Sequence, residues 1–216
     1  PVASAQIKSS LLFASLYADG LTTISEPRLS RDHTERMFAY FGIPFHRDGC
    51  TVRIEGRPSI RWSGKTVVVP GDLSAAAFFI VGASIVPDSD VTVLSVGMNP
   101  TRTGLLDILR QMGAHIEVLN PREEAGEPVA DLRVRSMPLR GVQIGPEQIP
   151  QTIDEFPILC VAAAVADGET VITGAEELRV KESDRIATMA AELRAMGARI
   201  ESDGGCAPLR IRGGRA

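Results

Sequence analysis

The densest group of reactive side chains is Arg179-Val180-Lys181-Glu182-Ser183-Asp184-Arg185, five charged groups in seven residues where a strand pattern gives way to a helix pattern. A helix opened by Glu182 or Ser183 sets Lys181 and Arg185 one turn apart, beside amides with no upstream carbonyl to bond, which favours an anion. Glu182 can give or take a proton in such a pocket. The same residues also read as a solvated helix start with i,i+4 ion pairing. In Thr152-Ile153-Asp154-Glu155-Phe156-Pro157 two carboxylates precede a nearly uncharged helix. Asp154 is a candidate general base at an apolar helix mouth; it is equally a helix N-cap, as is Asp72 in the comparable place before an earlier helix. Ser4-Ala5-Gln6 opens another helix with a hydroxyl, backbone amides and a side-chain amide, a neutral phosphate cradle or a simple cap. Arg31, in Ser30-Arg31-Asp32-His33, can reach an anion bidentately or stand on the surface. His33, His46 and His115 sit in unrelated settings and read as structural or exposed.

The elements that carry these residues repeat. Aligned on Gly42, Gly113 and Gly197, each copy shows a helical stripe before its glycine: Thr34, Met37, Phe38 and Phe41; Leu105, Ile108, Leu109 and Met112; Met189, Leu193 and Met196. The glycine reads as a left-handed helix terminus. A short strand follows (Ile43 to Phe45, Ala114 to Glu117, Ala198 to Glu201), then a loop and a second alternating run at Val52-Arg53-Ile54, Leu132-Arg133-Val134 and Leu209 to Arg212. Upstream of each stripe lies an Ala-rich helix (Ser4 to Ala18, Ser74 to Val86, Ile153 to Ala166), closed by a turn and followed by a Thr/Val/Ile strand. Thr66 to Val69 and Gly141 to Ile144 add a leading strand to copies two and three. The unit is therefore βαβαββ, with copy one lacking its first strand. The Pro-Gly break at Val69-Pro70-Gly71 reads as a domain boundary between residues 1–69 and 70–216, and equally as a simple loop.

Composition narrows the function classes. The 216 residues are 44% hydrophobic, with 27 acidic and 23 basic side chains and a formal net charge of -4, which fits a soluble globular protein and disfavours nucleic-acid or membrane-surface partners. The longest apolar stretches, Ala75 to Val86 and Phe156 to Ala166, are shorter than the roughly 18 residues a membrane span needs. Cys50, Cys160 and Cys206 are scattered, without a CxxC pair or a nearby His, so neither a disulfide framework nor a zinc site is expected and the cytoplasm is the natural compartment.

Across the whole chain, Ser4-Ala5-Gln6-Ile7-Lys8-Ser9, Arg31-Asp32-His33-Thr34-Glu35, Pro70-Gly71-Asp72-Leu73-Ser74, Asn99-Pro100-Thr101-Arg102-Thr103-Gly104, Ile153-Asp154-Glu155 and Leu178 to Arg185 resemble the 5-enolpyruvylshikimate-3-phosphate synthases. The likeness is closest to the bacterial group that includes glyphosate-tolerant enzymes. It implies an α/β fold (α+β in some schemes): the two-domain inside-out α/β barrel of enolpyruvyl transferases, three βαβαββ units per domain, here incomplete. It implies transfer of the enolpyruvyl group of phosphoenolpyruvate to the 5-hydroxyl of shikimate 3-phosphate, without metal or organic cofactor, by an enzyme that is monomeric at full length.

Carried over by position, Ser4, Ala5, Gln6 and Arg31 would bind shikimate 3-phosphate, with Gln6 also near phosphoenolpyruvate. Asp154 would accept the 5-hydroxyl proton, Lys181 would hold shikimate 3-phosphate, Glu182 would exchange a proton with the methylene carbon and Arg185 would bind phosphoenolpyruvate. The family's amino-terminal Lys-Ser and carboxy-terminal Asp-His-Arg and Lys segments have no counterpart here. The chain therefore reads as a central piece, inactive alone, with some faces that should be core left bare. The alternatives are the sister transferase acting on UDP-N-acetylglucosamine and a non-catalytic module of the same fold.

Overall fold

A computed structural model describes residues 3–59, 63–180, 183–202 and 208–214. The chain divides into two compact units, one of Pro1–Pro70 with Arg122–Val129 and one of Gly71–Pro121 with Ala130–Ala216.

In the first unit, helices α1 (Ala5–Ser15) and α2 (His33–Phe41) accompany strands β1 (Leu21–Ser25), β2 (His46–Asp48) and β3 (Thr51–Glu55). The strands form an antiparallel sheet of order β1-β3-β2, with Leu21 opposite Glu55 and His46 opposite Arg53. Alternation turns Ile24, Val52 and Ile54 inward onto Leu12, Phe38 and Ile43. Arg36 of α2 donates from Nη1 to the Gly126 carbonyl at 3.3 Å, and His33 Nδ1 lies 2.7 Å from Glu127 Oε1.

The second unit contains α3 (Leu73–Ile85), β4 (Asp90–Gly97), α4 (Gly104–Gln111), β5 (His115–Glu124) and β6 (Glu127–Arg135), the last two contributing their ends at Arg122–Val129 to the first unit. It continues with β7 (Gln143–Ile144), α5 (Phe156–Val165), β8 (Glu169–Ile172), α6 (Arg185–Ala195), β9 (Arg199–Glu201) and β10 (Leu209–Arg212). Two open sheets result, of order β4-β6-β5 and β7-β8-β10-β9; in the second, β7 runs parallel to β8 and β10 runs antiparallel to β8 and β9. The nearly uncharged α3 and α5 pack on each other, burying Ala76, Ala77, Ile80, Phe156, Leu159, Cys160 and Ala163 in one core. Phe78 and Phe79 of α3 remain 60% and 67% exposed, as does Tyr17 beyond α1 at 82%.

The repeat extends to individual bonds. Gly42, Gly113 and Gly197 have φ of 76°, 96° and 91°, and the residue after each donates its amide back across the helix end: Ile43 to Phe38 O, Ala114 to Leu109 O, Ala198 to Leu193 O, at 2.8, 2.9 and 2.8 Å. These bonds have the six-to-one form of the Schellman motif. A second correspondence was not foreseen in the sequence. The amide after the last strand of each copy donates into the turn after its first helix: Gly56 to Gly20 O, Ser136 to Ser89 O and Gly213 to Gly168 O, at 2.9, 3.0 and 2.9 Å. A Cβ on Gly56 or Gly213 would lie 2.1 Å from Ala18 O or Ala166 O, so the strand end rests directly on a backbone carbonyl just past the first helix.

Several expected elements differ. The strand anticipated at Ile43 to Phe45 begins instead at His46, because the Ile43 amide is spent on the helix end and Pro44 has none to offer a ladder. Thr66 to Val69 is not a strand; Val69 is 81% exposed and pairing is limited to a single parallel bridge, Gly71 with Val96. The segment before α6 is a 3-10 turn, Glu176–Val180, rather than a strand. Met196, placed on the third apolar stripe, is 82% exposed, and Ile186, Ala190 and Leu193 form the buried face.

Outward-facing charges repeat as well. Asp90, first in β4, takes both Arg133 nitrogens (2.8 and 2.6 Å), with Arg135 3.7 Å from Glu117; Glu169, first in β8, meets Arg210 at 3.1 Å and Arg212 at 3.0 Å, with Arg212 3.6 Å from Glu201. Hydrogen bonding from Arg133 holds Asp90 below the usual aspartate pKa, and from Arg212 holds Glu169 below the usual glutamate value. Both carboxyls thus favour the folded state above their unfolded values of 3.8 and 4.5 and lose that contribution as pH falls through the lower folded values.

The two glycine classes separate in stability. Gly197→Ala meets open space and should cost only the left-handed backbone penalty, about 1 kcal/mol. Gly213→Ala drives a methyl into backbone carbonyls and should cost about 3 kcal/mol. Urea midpoints of the two variants measure the difference, and equal losses would contradict it.

Candidate functional site

In the first unit, Ser4 is the N-cap of α1, with extended backbone (φ -142°, ψ 114°) and Oγ accepting from the Ile7 amide at 3.4 Å. The amides of Ala5 and Gln6 begin the helix with no upstream helical carbonyl to bond. No acidic residue occupies this turn, and Gln6 is exposed. Capping and a free amide edge thus coexist, the arrangement that suits a phosphate oxygen.

Arg31 lies half-buried between two anchored neighbours. On one side, the Ser30 amide donates to Glu26 Oε1 at 3.0 Å and its hydroxyl donates to Glu26 Oε2. On the other, buried Asp32 is gripped by Arg36 and Arg47, each at 3.0 Å. One turn into α1, Lys8 is only 3% exposed, with Nζ 3.1 Å from Glu26 Oε1, 2.8 Å from Glu35 Oε1 and 3.5 Å from the Ser30 carbonyl. Ser9 Oγ and Thr34 Oγ1 meet at 2.6 Å beside it. Burial pushes the Glu26 carboxyl up, but the Ser30 and Lys8 hydrogen bonds outweigh it and hold its pKa below the usual glutamate value. A sequence scan reads Lys8 as one more polar residue on a helix; its burial among two carboxylates has no local signature.

In the second unit, the starts of α5 and α6 meet. Arg185, the first residue of α6, donates from Nη1 to the Ile153 carbonyl at 2.8 Å and lies 3.4 Å from Asp154 Oδ1. The structure thus pairs two of the candidate residues, the base and a cation. Asp154 is not the helix cap. Helix α5 starts at Phe156 with Glu155 in the cap position and no side-chain cap bond, while Pro157 needs no acceptor for an amide it lacks. Asp72 does cap its helix, accepting from Ala75 at 3.1 Å. Ser183 does not open α6: Asp184 is the cap, accepting from Ala187 at 2.9 Å and from Arg179 at 3.2 Å. The Ala187 amide, with Arg179, holds the Asp184 carboxyl below the usual aspartate value. Lys181 and Glu182 lie outside the described residues.

Beneath Asp154, Glu155 is 2% exposed and accepts from the Ser74 hydroxyl, which in turn accepts from Arg102 Nη2 at 2.6 Å. Arg102 also meets Asp72 Oδ1 at 2.9 Å. The loop that supplies Arg102 is shaped by Asn99, whose Oδ1 accepts from the Thr101 amide and hydroxyl at 2.9 and 2.6 Å. Gly104 permits the close approach of Gln151, whose Cβ would stand 2.8 Å from an added methyl. Burial raises the Glu155 pKa, with Ser74 and Arg102 opposing. Among the described residues no His, Cys, Asp and Glu group is arranged to hold a metal ion, and no helix is long and apolar enough to cross a membrane. Cys50 and Cys160 are free; burial pushes the Cys160 thiol up, and Cys206 lies outside the described residues.

The raised Glu155 pKa has a definite sign. The folded state binds this proton more tightly than the unfolded one, so Glu155 opposes folding at neutral pH and does so less as pH falls toward its unfolded value of 4.5. The stability of Glu155→Gln minus that of the parent should therefore shrink from pH 7 to pH 5 in matched urea titrations. A pH-independent difference would contradict the burial argument.

Comparison with known proteins agrees with this architecture. A family model for EPSP synthase (3-phosphoshikimate 1-carboxyvinyltransferase) matches residues 1–214. The 3-phosphoshikimate 1-carboxyvinyltransferase of Alkalilimnicola ehrlichii is 62% identical over 201 residues, covering 93% of this chain and 45% of the relative. That of Geobacter sulfurreducens is 58% identical over 200 residues, covering 93% and 46%. The EPSP synthase structure from Acinetobacter baumannii superposes with a TM-score of 0.91 at 47% identity, over 99% of this chain and 47% of its own. The enolpyruvyl transferase NikO from Streptomyces tendae shares the fold, with a TM-score of 0.72 at 22% identity over 97% of this chain and 46% of its own. The chain spans about half the length of the curated relatives it matches. With the family model matched along nearly its whole length and the fold shared with solved members, the chain belongs to the EPSP synthase family.

Proposed function

We propose that this chain is part of a transferase that moves the enolpyruvyl group of phosphoenolpyruvate to the 5-hydroxyl of shikimate 3-phosphate, releasing phosphate, in the cytoplasm and as a monomer at full length. The observation that carries the reading is the pairing of Asp154 with Arg185 at the adjoining starts of α5 and α6, at positions where the family resemblance puts a base and an anion-binding cation. The residues 1–69 and 70–216 are taken as parts of the family's two domains.

In this reading Ser4, Ala5, Gln6 and Arg31 receive shikimate 3-phosphate, with the α1 amide edge and the Arg31 guanidinium meeting its charge and hydroxyls. Lys181 adds a second cation for that substrate. Asp154 takes the proton of the 5-hydroxyl as its oxygen bonds to the phosphate-bearing carbon of phosphoenolpyruvate, and Glu182 delivers a proton to the methylene carbon. Glu182 then removes a methyl proton as the carbon–oxygen bond to phosphate breaks, which restores the double bond and releases phosphate. Arg185 orients phosphoenolpyruvate through its carboxylate or phosphate, so that it must turn from Asp154 toward the ligand when the site fills. Two anionic substrates brought together repel, and helix starts and cations offset that repulsion.

The chain alone should release no phosphate from the two substrates. In a protein of the relatives' full length that carries this chain, Asp154→Ala should lower kcat by about 10²- to 10⁴-fold, the range of one general base. Phosphate release by the isolated chain, lost on Asp154→Ala, would show that half the length suffices. A full-length kcat unaffected by Asp154→Ala would remove the assigned base.

A further inference from the structure

Lys8 is not among the residues assigned to substrate, yet it is the most deeply buried Lys of the first unit, and two carboxylates that are themselves nine-tenths or more buried converge on it. Three ionisable groups inside a small core are a costly way to fill space. Apolar side chains of similar volume would often stabilise such a site as well or better. The cluster does something apolar packing cannot: it joins three separate pieces of chain by directional bonds. Lys8 belongs to the second turn of α1, Glu35 to the first turn of α2, and Glu26 to the loop that ends at Arg31. Neither Glu35 carboxylate oxygen accepts a hydrogen bond, and Lys8 Nζ stands 2.8 Å from Oε1 as its ionic partner. Glu26 passes the constraint on, holding the Ser30 amide and hydroxyl while Lys8 also reaches the Ser30 carbonyl.

We propose that Lys8, with Glu26 and Glu35, is a positioning device that fixes the Ser30–Arg31 backbone against α1, so that Arg31 and the α1 amide edge serve one phosphorylated ligand. The device rests on the reading of Ser4, Gln6 and Arg31 as a binding site. Lys8 itself touches no substrate; it acts through Ser30. Its position one turn below the N-cap keeps the link short: the Lys8 amide bonds the Ser4 carbonyl at 3.0 Å while its side chain holds the loop.

The test uses the chain itself and shikimate 3-phosphate, titrated by phosphorus NMR. Because Lys8→Met alone leaves two buried carboxylates facing each other and can prevent folding, the main variant is Lys8→Met with Glu26→Gln and Glu35→Gln, which removes all the charge together. The triple variant should unfold cooperatively, bind at least tenfold more weakly, and show faster hydrogen exchange at the Ser30 amide with the Leu12 amide unchanged. Arg31→Ala should weaken the parent's binding tenfold but change the triple variant less than twofold. Parent-like affinity in the triple variant, with Arg31→Ala still damaging to the parent, overturns the proposal and leaves the site reading intact. Binding insensitive to Arg31→Ala in the parent overturns the site reading instead. If the parent's affinity is too weak to titrate, the Ser30 exchange decides: unchanged protection in the triple variant overturns the proposal, and selective loss supports it.

Discussion

The second helix of each repeat must stop and reverse into a strand within three or four residues, and everything downstream depends on that reversal. At Gly42, Gly113 and Gly197 the backbone turns left-handed, which releases the chain from the helix axis and returns the next amide to a carbonyl five residues back. A side chain at this φ would clash with its own backbone, whereas glycine enters the conformation freely. The direction of exit determines where the following hairpin lies, and hence which strand edge the third repeat strand can pair. One backbone conformation, used three times, sets the geometry of three sheets.

Around that constraint the repeats share a division of labour. Apolar helices and alternating strands supply the core. Strand ends close onto the turns after the first helices through Gly56, Ser136 and Gly213. Arginine and carboxylate pairs line the solvent face of the last strands, where single exposed pairs are worth little and a repeated ladder mainly favours one strand register over its slipped neighbours. The candidate residues are gathered at the starts of helices, where the backbone itself offers unpaired donors and positive potential. Ser4 at α1, Asp154 ahead of α5 and Arg185 at α6 all stand at such starts.

Polar groups below these starts are not left to chance. In the first unit Lys8, Glu26 and Glu35 tie α1, α2 and the Arg31 loop; in the second Arg102, Ser74 and Glu155 tie the loop before α4 to α3 and α5. Buried charges are expensive, so the arrangement trades some stability for orientation. Orientation matters for a guanidinium in particular, since misplacing one by an ångström loses most of its hydrogen bonding.

What the amino-acid sequence by itself determined was whatever depends on neighbours within about a turn of chain. The αβαββ order shared by the three copies, the three terminating glycines, Ser4 as a cap and the apolar stripe of Leu105, Ile108, Leu109 and Met112 are legible from local patterns along the chain. The long motif match pointed to the family, and the resemblance made Asp154 and Arg185 candidates. Only the tertiary structure decided which local option was taken. Pro44 and a spent Ile43 amide moved a strand to His46; Asp184 took the cap position ahead of Ser183; Asp154 gave the cap position to Glu155 and met Arg185, 31 residues away. Lys8 became a buried bridge for the same reason. Partners 18 and 27 positions along the chain leave no periodic trace in sequence, because their contact arises from how two helices and a loop pack and not from the repeat of any single element.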